Sequence, residues 1–228
     1  MNLPEWVEPV ARYMFEVGLK GTLRIAAFAL LGSAAIGITL GTLLTIRFRP
    51  SQALIRLYIE VWRGLPILVT IFIVYFALPS VSPHLRFDAF TAASLGLTLW
   101  GSAQIAEATR GAVQSIPREQ HEAAAALGFG WVGRHTFVIV PQALRRLLPP
   151  FVSLLVNILQ NTTIAQTIGA AELLETGERS VERLTAPPPA GLGEIHAFEI
   201  YAAVMAIFFL ISFPLTRLAA YLERRLVV

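Results

Sequence analysis

Amide and hydroxyl side chains form a regular series in the apolar segment that follows residue 147. The series has the spacing i, i+4, i+7 and i+8, which a helix places on one stripe. Its members are Ser153, Asn157, Gln160 and Asn161, and Thr162, Thr163 and Gln166 widen it. Such groups hydrogen-bond polar solutes but break no bonds, and in a bilayer they must face protein or water. Two interpretations stay open: hydrogen bonds between helices, and the lining of a path for a polar solute.

Residues for bond-breaking chemistry are missing from the sequence. The absence of cysteine excludes a thiolate metal site and a cysteine nucleophile, and the four histidines have no metal-ligand spacing. The only lysine, Lys20, is followed by Gly21, whereas a nucleotide-binding loop needs Lys followed by Ser or Thr. No Ser/His pair, HExxH or paired aspartates lie within apolar segments. We therefore expect no catalytic residue, metal or cofactor on this chain.

Two related segments place charges beside apolar runs. The first, YIEVWRGLP, contains Glu60, Arg63, Gly64 and Pro66, and the second, IAEATRGAV, contains Glu107 and Arg110. Charges inside a bilayer are costly, but an arginine near a span end can extend to water. The spacing of Glu107 and Arg110 favours an ion pair one helical turn apart over a direct contact with a substrate.

The elements that must position these residues are apolar spans. Of the 228 residues, 55% are hydrophobic and only 14% are charged, which is typical of a membrane protein. The pattern predicts an all-α membrane protein whose single domain has five spans. These are 18–46, 56–79, 89–113, 147–171 and 198–222, with a long loop at 114–146. The net charge of +3 comes from arginines clustered beside spans, which argues against a nucleic-acid partner.

The arginines also predict an orientation, because cytoplasmic loops carry the excess of basic residues. Three groups fall on one side of a five-span chain: Arg47, Arg49 and Arg56; Arg118, Arg134, Arg145 and Arg146; and Arg224 and Arg225. The opposite loops, 80–88 and 176–197, hold fewer, and the proline-rich segment 186–193 is typical of a loop. We expect the amino terminus outside and the carboxyl terminus in the cytoplasm.

The loop 114–146 is longer than a connection needs to be. Pro117 suits a helix start, Glu119 and Glu122 favour the positive end of a helix dipole, and the alanines that follow are strong helix formers. Gly128 is expected to stop this helix. A second amphipathic stretch, 131–140, is expected to end at Pro141.

This spacing from Glu to Gly to Pro resembles the EAA loop of the permease subunits of ABC importers. The resemblance implies that this loop inserts into a groove on a separate ATPase subunit, which binds ATP and Mg²⁺. The residues to which it assigns this contact are Glu122, Ala123, Ala124, Leu127, Gly128, Phe129 and Pro141. The alternative is an amphipathic helix lying on lipid headgroups.

The two charged segments resemble the E-x-x-RG-x-P and AE-x-x-RG signatures of polar amino-acid permeases, so that the likeness covers residues 18–225. It implies the type I importer fold in a bacterial inner membrane. The implied partners are two ATPases, a second permease subunit, an external solute-binding protein and an amino acid. Where relatives read LLKDTSL this chain reads ILQNTTI, so Gln160 and Asn161 replace Lys and Asp. That difference leans toward glutamate-, aspartate- or glutamine-type cargo.

Other interpretations remain. A secondary transporter or channel driven by ion gradients is one, although no inverted repeat is visible. An exporter, or a permease for other solutes, would share the loop. Gly37 and Gly41 form a GxxxG that indicates close helix packing, within the subunit or against a second permease, unless it arises by chance.

Overall fold

The computed structural model describes residues 4–45, 48–188 and 191–226, and every regular element in these ranges is a helix. The α-helices are α1 Val7–Tyr13, α2 Lys20–Leu43, α3 Arg49–Gly64, α4 Ile67–Phe72, α5 Leu78–Val81, α6 Ala89–Gln114, α7 Arg118–Ala126, α8 Trp131–Arg134, α9 Val140–Asn161, α10 Leu173–Thr185 and α11 Ala197–Leu226. Wider π-helical turns cover Met14–Leu19, Ile73–Ala77 and His135–Ile139, and 3₁₀ turns cover Pro83–Leu85 and Thr162–Ile168. The all-α prediction is confirmed.

Three helices in the described ranges are long and apolar enough to cross a membrane: Val7–Leu43, Trp131–Ile168 and Ala197–Leu226. A bent pair, Arg49–Gly64 with Ile67–Val81, makes a fourth if it counts as one span. Helix α6 has 26 residues, about 39 Å at the helical rise per residue, and so is long enough but less apolar. The full count of five spans therefore stays a prediction.

The predicted span 56–79 is divided in the structure. Helix α3 ends at Gly64, Leu65 is extended at φ −84° and ψ 140°, and the next helix leaves at 108°. Pro66 explains the break, because a proline disfavours helical geometry in the residue before it. Residues 56–64 thus belong to a separate amphipathic helix.

The helix at Trp131 does not end at Pro141 as predicted. Helices α8 and α9 form one continuous element through the π-turn His135–Ile139, and Pro141, Pro149 and Pro150 lie inside it. In the π-turn the N–H of Val140 reaches back to the carbonyl of His135, so the wider turn accommodates the ring that follows.

The chain divides into two compact units. The first comprises residues up to Ala29, Ile67–Leu97 and Asn157–Pro214. Its core includes Met14, Leu173, Leu184, Ile200 and Val204, with α10 against the turn Met14–Leu19. The segment 176–197 is a loop by the sequence prediction, but its first part belongs to α10, because Glu172 caps this helix and the leucines of its apolar face are buried.

The second unit comprises Leu30–Pro66, Thr98–Val156 and the residues from Leu215 onward. Here α2 packs closely on α6. A Cβ at Gly37 would lie 2.7 Å from the carbonyl oxygen of Ser102, and one at Gly41 would lie 2.5 Å from that of Ala106. The GxxxG therefore serves packing within the subunit.

Some expectations fall on residues outside the described ranges. Arg47, used for the predicted orientation, is one of them, as are the end of the predicted first span at residue 46 and residues 189–190 of the proline-rich segment. The other residues of that segment are non-helical, as predicted, since α10 ends at Thr185.

Candidate functional site

The first helix of the long loop begins and ends where the sequence predicts. Pro117 precedes it in an extended conformation, with φ −56° and ψ 144°, and α7 runs from Arg118 to Ala126. Arg118 Nε donates to Glu122 Oε1 at 2.8 Å on the exposed face, an ion pair one turn apart. Such a pair adds little stability but keeps both charges at the surface.

A complete Schellman motif closes this helix. Gly128 has φ +84°, the left-handed region that favours glycine. Its N–H donates to the carbonyl oxygen of Ala125 at 3.0 Å, and the N–H of Phe129 donates to that of Ala124 at 3.1 Å. These bonds satisfy the last helical carbonyls and turn the chain sharply.

Apolar side chains project from this reversal. Leu127 is 78% exposed and Val132 is 68% exposed, and Phe129 and Trp131 are exposed as well. We call these four residues the loop tip. Ala123 beside it is exposed, whereas Ala124 is buried. A compact apolar projection on an alanine helix is typical of a surface that inserts into a protein partner.

Two histidines hold the loop together, a role that sequence reasoning missed. The His135 ring is buried and stacks on Trp131 at 4.1 Å, with Nδ1 2.9 Å from the carbonyl oxygen of Trp131. The His121 ring meets it edge-on at 6.1 Å. Burial lowers the pKa of His121, and the charges of Arg134 and His135 lower it further. Trp131 and His135 are one helical turn apart, whereas His121 and His135 are 14 residues apart, so only the folded loop reveals that His121 joins them.

The loop is also tied to its neighbouring helices. Arg146 donates from Nη1 to the carbonyl oxygen of Ser115 at 2.6 Å, which joins the end of α6 to α9. Gln142 Nε2 donates to Gln120 Oε1 at 3.3 Å, which joins α9 to α7. Pro141, predicted at the end of the loop, is an exposed residue inside the continuous helix instead. These two hydrogen bonds connect the loop to the long apolar helix that contains α9.

The charged signature residues meet in the second unit. Arg110 donates to both carboxylate oxygens of Glu107, at 2.9 and 2.5 Å, which confirms the expected ion pair. Arg63 Nε donates to Gln104 Oε1 at 3.2 Å, while Glu60 is exposed on α3. The remaining two signature residues, Gly64 and Pro66, lie at the bend described above.

The structure divides the polar stripe by environment. Three members have exposed side chains: Ser153 in the second unit, and Asn157 and Gln160 in the first. Asn161 Nδ2 donates to the carbonyl oxygen of Asn157 at 2.7 Å, so it bonds to its own helix.

The two threonines of the stripe behave in the same way. Thr162 donates to the carbonyl oxygen of Leu159, and Thr163 donates to that of Gln160, both at 2.8 Å. These hydroxyls satisfy carbonyls where the α-helix gives way to a 3₁₀ turn. The exposed side chains of the stripe are therefore those of Ser153, Asn157 and Gln160.

The chain matches a family model over residues 34–228, that of the binding-protein-dependent transport system inner membrane component. It is 36% identical over 209 residues to the glutamine transport system permease protein GlnP of Escherichia coli K12, covering 92% of this chain and 91% of that one. It is 30% identical over 213 residues to the probable glutamine ABC transporter permease protein GlnM of Bacillus subtilis 168, covering 93% of each.

Solved structures agree in fold. One described as an amino acid ABC transporter with histidines superposes with a TM-score of 0.83 at 27% identity, over 99% of this chain and 100% of that one. The inward-facing MetNI methionine transporter superposes with a TM-score of 0.69 at 18% identity, over 91% and 94% of the two chains, and supports the fold alone. The chain belongs to the binding-protein-dependent transport system inner membrane components and is a permease subunit of an amino-acid ABC importer.

Proposed function

We propose that the loop tip docks into a groove on a separate ATPase subunit and transmits the closure of the ATPases to α9. The observation that carries this proposal is the exposed apolar tip on a helix ended by left-handed Gly128. The direct ties from the loop to α9 supply a rigid mechanical connection. ATP and Mg²⁺ are bound by the partner, and this chain performs no chemistry of its own.

The assembly comprises two permease subunits, two ATPases and an external solute-binding protein. The second permease is either a copy of this chain or a homologous subunit. The amino terminus lies outside and the carboxyl terminus in the cytoplasm, because the arginine-rich ends then face the cytoplasm. This orientation places the loop tip on the side where ATP is available.

The cargo is a polar amino acid of the glutamine type. Support comes from the names of the two glutamine permeases to which the chain is similar, and from the exposed amides of Asn157 and Gln160. Neutral amides at positions 157 and 160 suit a neutral polar side chain, because they donate and accept hydrogen bonds without imposing a charge. Exposure of this stripe first to one side of the membrane and then to the other would carry the solute across.

Uptake into proteoliposomes tests the proposal. The permease, its ATPase and its binding protein are reconstituted, and accumulation of labelled glutamine, glutamate and arginine is measured with ATP supplied to the ATPase side. We expect glutamine to accumulate only with ATP, whether or not an ionophore is present. Uptake that survives without ATP and collapses with the ionophore would show a secondary transporter instead.

One variant tests the docking step. Gly128→Asp places a charge at the loop tip, so we expect normal membrane insertion with loss of ATP-driven uptake and of ATPase stimulation. Ser80→Asp adds the same charge at an exposed site on the predicted outer side and is expected to behave like the unmodified protein. Unaltered uptake by Gly128→Asp would contradict the docking role.

A further inference from the structure

The two E-x-x-R-G segments of the sequence line one cavity in the second unit. This cavity has a volume of about 290 Å³ and is lined by Arg56, Glu60 and Arg63 of α3, Glu107 and Arg110 of α6, and the apolar Leu44 and Ile59. Three guanidinium groups against two carboxylates leave it with a net positive charge. We call it the arginine cavity.

Among the described residues, one arginine of the cavity forms an ion pair with a carboxylate and the other two do not. Arg110 makes the bidentate pair with Glu107. Arg63 donates to the neutral amide oxygen of Gln104. In the described part of the chain, neither Arg63 nor Arg56 forms an ion pair. Both line the same cavity as Glu107. The guanidinium groups of Arg56 and Arg63 can therefore donate hydrogen bonds to a bound anion. The planar, forked arrangement of these donors suits a phosphate group.

The rest of α3 has the pattern of a helix lying at a membrane surface. Arg49, Arg56 and Arg63 recur every seven residues, so they follow one line along the helix. Ile55 and Ile59 face the core formed with Leu44 and Ala106.

A third face of α3 is apolar and uncovered by the described part of the second unit. Leu54, Leu57 and Val61, spaced i, i+3 and i+7, are 70%, 58% and 41% exposed. Between this face and the core lie Tyr58 and Trp62, whose rings meet edge-on at 6.3 Å. An apolar face flanked by Tyr and Trp on one side and by arginines on the other is typical of interfacial helices, and the bend at Pro66 lets α3 leave the direction of the span that follows.

We propose that α3 lies in the headgroup layer of the cytoplasmic leaflet and that the arginine cavity binds the phosphate of an anionic phospholipid. The apolar face Leu54, Leu57 and Val61 then contacts acyl chains, and Arg56 and Arg63 provide the charge complementarity. The leaflet follows from the orientation stated under the proposed function, but the lipid contact itself does not depend on transport.

Native mass spectrometry of the purified permease–ATPase complex tests the inference. The complex is equilibrated in detergent micelles that contain equal amounts of phosphatidylglycerol and phosphatidylcholine, and retained lipids are counted. We expect the unmodified protein to retain phosphatidylglycerol in roughly tenfold or greater preference, since each of the two arginines near a membrane surface contributes a factor of about five. Arg56→Gln with Arg63→Gln is expected to remove most of that preference.

Matched variants separate recognition from loss of folding. Arg56→Lys with Arg63→Lys keeps both charges and should keep most of the preference. The single change Arg56→Gln removes a side chain that has no ion-pair partner among the described residues, and it should weaken the preference. Arg86→Gln removes an exposed arginine from the first unit and should retain the full preference. Equal retention of the two lipids by the unmodified protein, or an undiminished preference in the double glutamine variant, would overturn the proposal.

Two further outcomes would show that something other than a phospholipid occupies the arginine cavity or covers α3. Complete displacement of phosphatidylglycerol by millimolar inorganic phosphate would assign the cavity to a soluble phosphate and contradict the lipid; retention in its presence supports the lipid. Loss of the permease dimer mass in the double glutamine variant would assign α3 to an interface between permease subunits and would also overturn the proposal.

Discussion

The backbone N–H of Phe129 donates to the carbonyl oxygen of Ala124 across left-handed Gly128, at 3.1 Å. This bond fixes where α7 ends and how the loop tip is presented. The geometry depends on one backbone conformation, and it can be perturbed without touching any packed side chain, because a Cβ at Gly128 would meet nothing within 4 Å.

Gly128→Ala is therefore expected to strain the turn alone. A left-handed non-glycine residue costs about 1–2 kcal/mol, so amide hydrogen exchange over residues 124–129 should accelerate by roughly fivefold or more. Gly130→Ala is the matched control, since Gly130 is equally unobstructed but has φ −63°. Equal exchange rates in the two variants would mean that the turn is not held as described.

Gly41→Ala is expected to separate α2 from α6. The new Cβ would lie 2.5 Å from both the Ala106 carbonyl oxygen and the Thr109 Cβ, and overpacking of this kind costs about 1–3 kcal/mol. Thermal unfolding in detergent should occur at a lower temperature than in the unmodified protein. Gly111 lies on the exposed side of α6, and a Cβ there would have no atom within 4 Å, so Gly111→Ala should leave the unfolding temperature unchanged. An equal fall in the unfolding temperature of both variants would mean that these helices do not tolerate alanine in general.

Glu172 is expected to make the stability of the first unit depend on pH. Its carboxylate is fully buried at the start of α10 and accepts the N–H groups of Leu174 and Glu175. Burial raises the pKa of Glu172 to about 7, against the opposing effect of these hydrogen bonds and with a smaller contribution from the charge of Glu175.

The sign follows from linkage. A carboxyl whose pKa is raised by folding stabilises the protein below its unfolded pKa, and that stability is lost as the pH rises through the folded pKa. The unfolding temperature should therefore fall between about pH 5 and about pH 8. Glu172→Gln should weaken the dependence of the unfolding temperature on pH. A smaller dependence should remain because burial also raises the pKa of Glu175. Glu178→Gln, at an exposed position of the same helix, should leave it intact; an unchanged dependence in Glu172→Gln would contradict the assignment.

Local sequence signals were sufficient for α7. Pro117, a run of alanines and Gly128 act within one helix, so the structure places its start and end as predicted. The signature residues Glu107 and Arg110 were likewise predictable, because their contact depends only on helical spacing.

Other features depend on distant residues and could not be predicted locally. The helix continues through Pro141 because the adjacent π-turn buries Ile139 against Ala112 and Val113 of α6. The contact between His121 and His135 requires the folded loop, and α10 requires the core around Leu173. The bend at Pro66 had a local signal, but the uninterrupted apolar run after it favoured a single span.

The docking of the loop tip is tested most directly by cross-linking, which the lack of cysteine makes simple. Ala125→Cys places a thiol on the exposed face of α7, and Ser80→Cys places one at an exposed site on the predicted outer side. In membranes that contain the assembled transporter, we predict that a short thiol-to-amine reagent joins the Ala125→Cys variant to the ATPase and leaves the Ser80→Cys variant unjoined. An ATPase adduct at position 80 would contradict the orientation, and the absence of one at position 125 would contradict the docking surface.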